Sequence, residues 1–182
     1  MIQLAWLIPV FPLVGFLITS LGGKKMPKSV SGALASLMVL ASFVVTIAIF
    51  TQFDGQPVTL DLFNWISSGT LAIPFSFMID QLSLIMLLII TGVGFLIHLY
   101  SIGYMHSDEA FTRFFSYLNL FIFFMLLLVM GSNYIVMFAG WEGVGLCSYL
   151  LIGFWFKNPE YNKAANKAFI MNRIGDLGFL LG

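Results

Sequence analysis

Residues 29–53 read SVSGALASLMVLASFVVTIAIFTQF, an apolar run without one charged side chain. A run of roughly 20 apolar residues or more is what an α-helix needs to cross a bilayer. Comparable stretches lie on either side of it. The first span runs from about Ile2 to Leu21, and the second is 29–53. The third runs from Asp80 to Tyr104, the fourth from Phe114 to Met130, the fifth from Tyr134 to Phe156, and the sixth from Asn162 to Gly182. The whole chain is 60% hydrophobic and 9% charged, where a soluble domain carries roughly 25% charged residues. The expected fold is an all-α polytopic membrane protein with about six transmembrane helices, residues 1–182 forming one membrane domain. The first span lacks the charged leader and small-residue cleavage site of a secretory signal, so it is expected to be retained. Pro9 and Pro12 are expected to kink it, which a membrane helix tolerates. The last span is still apolar at Gly182, so the chain is expected to be the front part of a longer protein.

Residues 51–79 break the helical pattern. Leu71, Ile73, Phe75, Phe77 and Ile79 alternate with smaller or polar residues, as do Val58, Leu60 and Leu62. Period two is the strand period, and Ser67-Ser68-Gly69 supplies a turn. This predicts a short β-hairpin over about 57–79, lying on the outer membrane surface. Asp80 then sits at the N-cap of the third span. Tyr104 to Arg113 reads as a polar loop, Gly131-Ser132-Asn133 as a tight turn, and Lys157 to Tyr161 as a loop.

Charge placement gives orientation. Lys24, Lys25, Lys28, Arg113, Lys157 and Lys163 fall on one side if the N-terminus is outside, with Lys167 one turn into the sixth span. The opposite loops hold Asp54 and Asp61 and no Lys or Arg. That is the positive-inside pattern, which puts the hairpin outside. A formal net charge of zero offers no basic face to nucleic acid. One cysteine, Cys147, makes neither an intramolecular disulfide nor a four-ligand iron–sulfur site. The sequence has no P-loop and no GxGxxG after a strand. A redox cofactor would therefore sit on another chain.

Three charges lie where charge is expensive. Glu142 is about 12 Å into the fifth span, Arg173 about 15 Å and Asp176 about 20 Å into the sixth, at 1.5 Å per residue. A charge at the bilayer centre costs on the order of 3 kcal/mol, so such residues face a bundle interior or a water path. Ala139, Glu142, Gly145 and Tyr149 share one helix face, and Gly140, Gly143 and Gly145 allow close backbone approach. A carboxyl shielded from bulk water takes up a proton more readily, and a nearby cation reverses that. Glu142 is thus the leading candidate for a proton relay, against the alternative of a buried helix anchor. Arg173 and Asp176, three apart, can also simply pair with each other. His98 and Lys167 are weaker candidates. His98 reads first as a satisfied or interfacial residue and Lys167 as a snorkelling one. Trp141 and Trp155 read as interface and packing aromatics.

Several motifs resemble one family. They are Gly140-Trp141-Glu142-Gly143-Val144-Gly145-Leu146, Ser148 to Trp155, Lys167-Ala168-Phe169, Asn172 to Gly178, Asp80-Gln81-Leu82-Ser83 and Tyr100 to Met105. Together they resemble the largest antiporter-like subunit of respiratory complex I (the NuoL type), in its N-terminal part. The resemblance implies redox-coupled proton translocation as a membrane-arm subunit of NADH:quinone oxidoreductase. It also implies two inverted five-helix repeats, of which this chain holds only the start. Glu142 then matches a glutamate that pairs with a lysine on the seventh helix, and Arg173 and Asp176 match charged positions of the sixth. NADH, FMN, iron–sulfur clusters and quinone would belong to partner subunits in a hetero-oligomer, with none in this chain. The membrane would be the bacterial inner membrane, or the mitochondrial inner membrane. The rival readings are the large subunit of a multi-subunit Na⁺/H⁺ antiporter, and a structural fragment without transport activity of its own.

Overall fold

The structure, a computed structural model, describes residues 2–182. For Lys24 and Leu71 the side-chain expectations lie outside the described residues. Six helices and one hairpin follow in order: α1 Leu7–Gly22, α2 Lys28–Phe50, β1 Val58–Ser68, β2 Leu71–Ile79, α3 Gln81–Tyr104, α4 Phe111–Met130, α5 Tyr134–Ile152 and α6 Pro159–Leu181. A 3-10 turn over Ile2–Leu4 extends α1 at its start. Among the described residues five helices are long and apolar enough to cross a membrane, and the first such span is Ile2–Gly22. The sixth is long enough but more polar, since it carries Glu160, Lys163, Lys167, Arg173 and Asp176.

Local chemistry explains the boundaries. Asp80 caps α3 through a reciprocal box: its Oδ1 accepts from Ser83 N–H at 2.7 Å, and its own N–H donates to Ser83 Oγ at 2.8 Å. Asn133 caps α5 by accepting from the N–H groups of Ile135 and Val136. Asn158 caps α6, and Pro159 is its first residue, where a missing N–H costs nothing. Pro159 therefore opens the helix instead of sitting in a loop, and the helix starts three residues before Asn162. Arg113 likewise belongs to the first turn of α4, while α5 ends at Ile152, short of Phe156.

The α1 helix runs on through both prolines. Pro9 falls in its first turn, where amide hydrogens have no helical partner. Pro12 lacks the hydrogen that would bond the Ile8 carbonyl, and Ser42 of α2 donates its hydroxyl to that carbonyl at 2.7 Å. The bundle packs α1 on α2 and α4, α2 on α3, and α5 on α4, with α6 applied to α5. The interior is apolar, with Leu84, Leu87, Leu126, Met130 and Val136 in one cluster and Phe111, Phe115, Met105 and Phe154 in another. Outward positions such as Leu37, Val44, Leu82 and Leu96 are exposed apolar side chains, as lipid contact requires.

The hairpin is antiparallel, with Val58 opposite Ile79 and Ser68 opposite Leu71. Its link is Gly69-Thr70, one residue beyond the expected turn. The alternation holds at the base, where Phe77 and Ile79 are buried and Val58 and Leu60 half-buried. Register irregularities between Asp61 and Phe63 and between Asn64 and Ile66 end it, and residues 61–70 of the tip are exposed. The base is tied to the α4–α5 turn: Ser132 N–H donates to Ser76 C=O at 3.1 Å, and Asn133 Nδ2 to Pro74 C=O at 2.9 Å. At the opposite end the basic turns meet. Lys28 Nζ donates to His106 C=O, Arg113 to Phe154 C=O, and Trp155 Nε1 to Asp108 Oδ2 at 2.8 Å.

Candidate functional site

The seam between α4 and α5 positions the fifth helix. A Cβ on Gly140 would overlap the backbone of Leu128, and one on Gly143 would overlap the ring of Phe124. Glycine alone permits this approach, and it turns the Glu142 face away from α4 towards α6. There α5 and α6 interleave aromatic rings. Phe138 stacks on Phe179 at 5.6 Å, Trp141 on the same ring at 6.3 Å, and Tyr149 meets Phe169 at 5.4 Å.

Within this seam the structure brings Glu142, Arg173 and Asp176 together. Arg173 Nη1 lies 2.5 Å from Glu142 Oε1 and 3.8 Å from Asp176 Oδ2. Its guanidinium also sits 5.2 Å from the Phe169 ring centre. Asp176 is 4% exposed, and the Trp141 indole N–H donates to its Oδ1 at 2.9 Å. The guanidinium thus stands between two carboxyl groups, and no second Lys or Arg pairs with either among the described residues. A charge-assisted contact is shorter and stronger than a neutral one, and the one guanidinium is within reach of both acids.

The intrahelical Arg173–Asp176 pair expected from their spacing is thus the looser of two contacts, and the closer one crosses to α5. Trp141 is more than a packing aromatic, since it orients the buried carboxylate of Asp176. An indole N–H in a lipid-embedded helix needs an acceptor, and that requirement was the signal available in the sequence.

The other candidates lie elsewhere. Lys167 is exposed on α6 with no ion pair among the described residues, whereas Lys163 pairs with Glu160 at 2.9 Å. His98 is fully buried between α3 and α4. Its Nδ1 is 2.7 Å from Gly94 C=O and its Nε2 is 3.3 Å from Asn119 Nδ2, so both ring nitrogens have a polar neighbour. Cys147 is a buried free thiol. Among the described residues no group of His, Cys, Asp and Glu could hold a metal ion.

Comparison with known proteins adds the following. Residues 65–115 match the family described as NADH-ubiquinone oxidoreductase (complex I), chain 5 N-terminus, and residues 131–182 match NADH:quinone oxidoreductase/Mrp antiporter, transmembrane. NADH-quinone oxidoreductase subunit L of Mycobacterium tuberculosis is 45% identical over 181 residues, covering 97% of this chain and 29% of that protein. The subunit L of Campylobacter jejuni is 47% identical over 177 residues, with 97% and 29% coverage. NADH-ubiquinone oxidoreductase chain 5 of Allomyces macrogynus is 42% identical over 179 residues. The chain therefore spans less than a third of the length of these relatives. A chain of the membrane-bound sulfane sulfur reductase, an archaeal respiratory membrane complex, superposes with a TM-score of 0.84 at 20% identity, covering 98% of this chain and 36% of that one. At that identity the likeness speaks for the fold.

Proposed function

Because this chain is a homologue, along nearly its whole length, of the N-terminal part of subunit L of NADH-quinone oxidoreductase, we propose that it contributes to redox-coupled proton translocation in the membrane arm of that complex. Glu142 is the proton-accepting carboxylate in this reading. The observation that carries it is the single guanidinium of Arg173 shared between Glu142 and Asp176. When Glu142 takes a proton it no longer holds Arg173, which swings towards Asp176 on its own helix. Proton uptake on α5 is thereby converted into a charge displacement on α6. Trp141 keeps Asp176 oriented to receive it. Two carboxyl groups served by one guanidinium support a further cation from the rest of the protein, in line with the lysine that the family resemblance implies.

The setting of the chain follows from this reading. NADH, FMN, iron–sulfur clusters and quinone belong to partner subunits, the assembly is hetero-oligomeric, and the membrane is the bacterial inner membrane. The Glu142→Gln variant of the full-length subunit, in sealed vesicles driven by NADH, tests the reading. An assembled complex is expected to lose most of its proton pumping, with coupled NADH oxidation falling alongside. Undiminished pumping by an assembled variant overturns it.

The second family description also names an Mrp antiporter, which favours a gradient-driven Na⁺/H⁺ exchanger as the alternative. Exchange of Na⁺ for H⁺ in vesicles without NADH would select that alternative.

A further inference from the structure

A second polar region runs through the bundle away from Glu142. At the basic end a cavity of about 580 Å³ opens between α1, the α3–α4 loop, the first turn of α4 and the α5–α6 turn, with Ser20, Asp108, Thr112, Arg113 and Lys157 on its walls. Two buried hydroxyls, Thr19 and Ser116, also line it, and they bond each other at 2.9 Å. One turn deeper along α4 lies Asn119, which has no exposed surface. Its Nδ2 faces Phe115 C=O at 3.1 Å and His98 Nε2 at 3.3 Å, while its Oδ1 has no partner among the described residues. Gly15, one turn before Thr19 on α1, lies directly against that oxygen, since a Cβ there would come within 2.5 Å of it. A fully buried amide oxygen without a donor is a site where a protein holds water.

The tautomer of His98 follows from its neighbours. A nitrogen 2.7 Å from a carbonyl oxygen must carry the hydrogen, so Nδ1 donates to Gly94 and Nε2 presents its lone pair to Asn119. No charged side chain faces the ring. Neither α1 nor α3 contains one, and Lys28 of α2 and Arg113 of α4 both lie at the basic end.

We propose that Asn119 Oδ1 binds a water molecule admitted from the cavity past Thr19 and Ser116, and that this water makes His98 a protonatable site connected to the basic end. Its proton comes from that water phase and forms an N–H bond on Nε2. The Asn119 amide turns so that Oδ1 accepts from the new N–H. The Gly94 carbonyl closes the other side of the ring, so the proton returns by the path it entered. The site holds a proton and does not pass it across the membrane. It is separate from the α5–α6 cluster and stands or falls without it.

Deuterium exchange at the imidazole C2 position, read for each histidine by mass spectrometry in the full-length protein in its native membrane, tests the proposal. His106, the chain's other histidine, lies exposed in the α3–α4 loop and serves as the internal reference. His98 is expected to exchange with a sigmoidal dependence on pH, and to exchange several-fold more slowly in both Asn119→Leu and Ser116→Val. A His98 that stays unexchanged under conditions where His106 exchanges overturns the proposal, and that measurement needs no variant to fold. Exchange at His98 that is indifferent to both substitutions also overturns it.

Discussion

The bundle gathers polar groups in two places and by two different means. Inside α1–α4 they are neutral and mostly settled on their own helix: Ser36 donates to Gly32 C=O, Thr46 to Ser42 C=O, and Thr91 to Leu87 C=O. Between α5 and α6 they are charged, and the closest contact of each crosses to the other helix. Side-chain exposure there is 54% for Arg173, 24% for Glu142 and 5% for Asp176. A hydroxyl can satisfy itself on the carbonyl one turn back, so it enters a core anywhere. A carboxylate has no donor to offer and must be met by one from elsewhere. The charged region accordingly sits where a second helix brings a guanidinium and an indole to it, on the margin of the bundle.

If the α4–α5 seam is what holds the two regions in fixed relation, Gly140→Val should separate them. The added methyl groups collide with the Leu128 backbone, which cannot move aside as a side chain would, and the expected loss is about 2–3 kcal/mol. The reading is the thermal unfolding midpoint of the full-length protein in detergent. An unchanged midpoint would break the comparison, because the regions would then be independent.

Trp141→Phe sharpens the contrast. The ring keeps its stack on Phe179, but the buried Asp176 loses its donor, at a cost of about 2 kcal/mol. Coupled pumping should fall while assembly persists. Full pumping would return Trp141 to the packing role its sequence first suggested.

Asp80→Ala is the control that touches neither region. Loss of the α3 capping box should cost about 1 kcal/mol and leave pumping per assembled complex unchanged.

The smallest effect concerns Asp108. Its bond from the Trp155 indole, with lesser help from Ala110 N–H, Arg113 and Lys28, holds its carboxyl below the usual carboxylate range. A depressed value means that the ionised form stabilises the folded loop at neutral pH, and that this support disappears as pH falls through the folded pKa. Trp155→Phe should therefore lower stability slightly at neutral pH and leave it unchanged once Asp108 is protonated, which flattens the acid limb of a stability profile. An acid limb of unchanged steepness would count against the indole as the main cause.

What the sequence disclosed, and what it withheld, divides along the same line. Spans, caps and the hairpin rest on local pattern: the charge-free run at 29–53, the aspartate at 80, the alternation before Ile79. The charged residues were legible because any charge in an apolar run is conspicuous. Their partners were not, since Arg173 meeting Glu142 across 31 positions is a fact of packing, as is Trp155 reaching Asp108. Asn119 is inconspicuous in the sequence because a neutral amide carries no charge to mark it, and only its geometry reveals the oxygen left without a donor. The sixth span is expected from Asn162 after a loop over Lys157 to Tyr161, yet α6 starts at Pro159, because a proline after the Asn158 cap suits the first position of a helix.

The carbonyl of Ile8, released by Pro12 and captured by Ser42, has a consequence for biosynthesis. In lipid an unsatisfied carbonyl costs several kcal/mol, so the first helix alone is an incomplete membrane segment. Its missing donor is 34 residues downstream on the second helix. The two segments should therefore leave the insertion machinery as a pair, and a nascent chain stopped before Ser42 emerges should slip back more readily than one that has passed it.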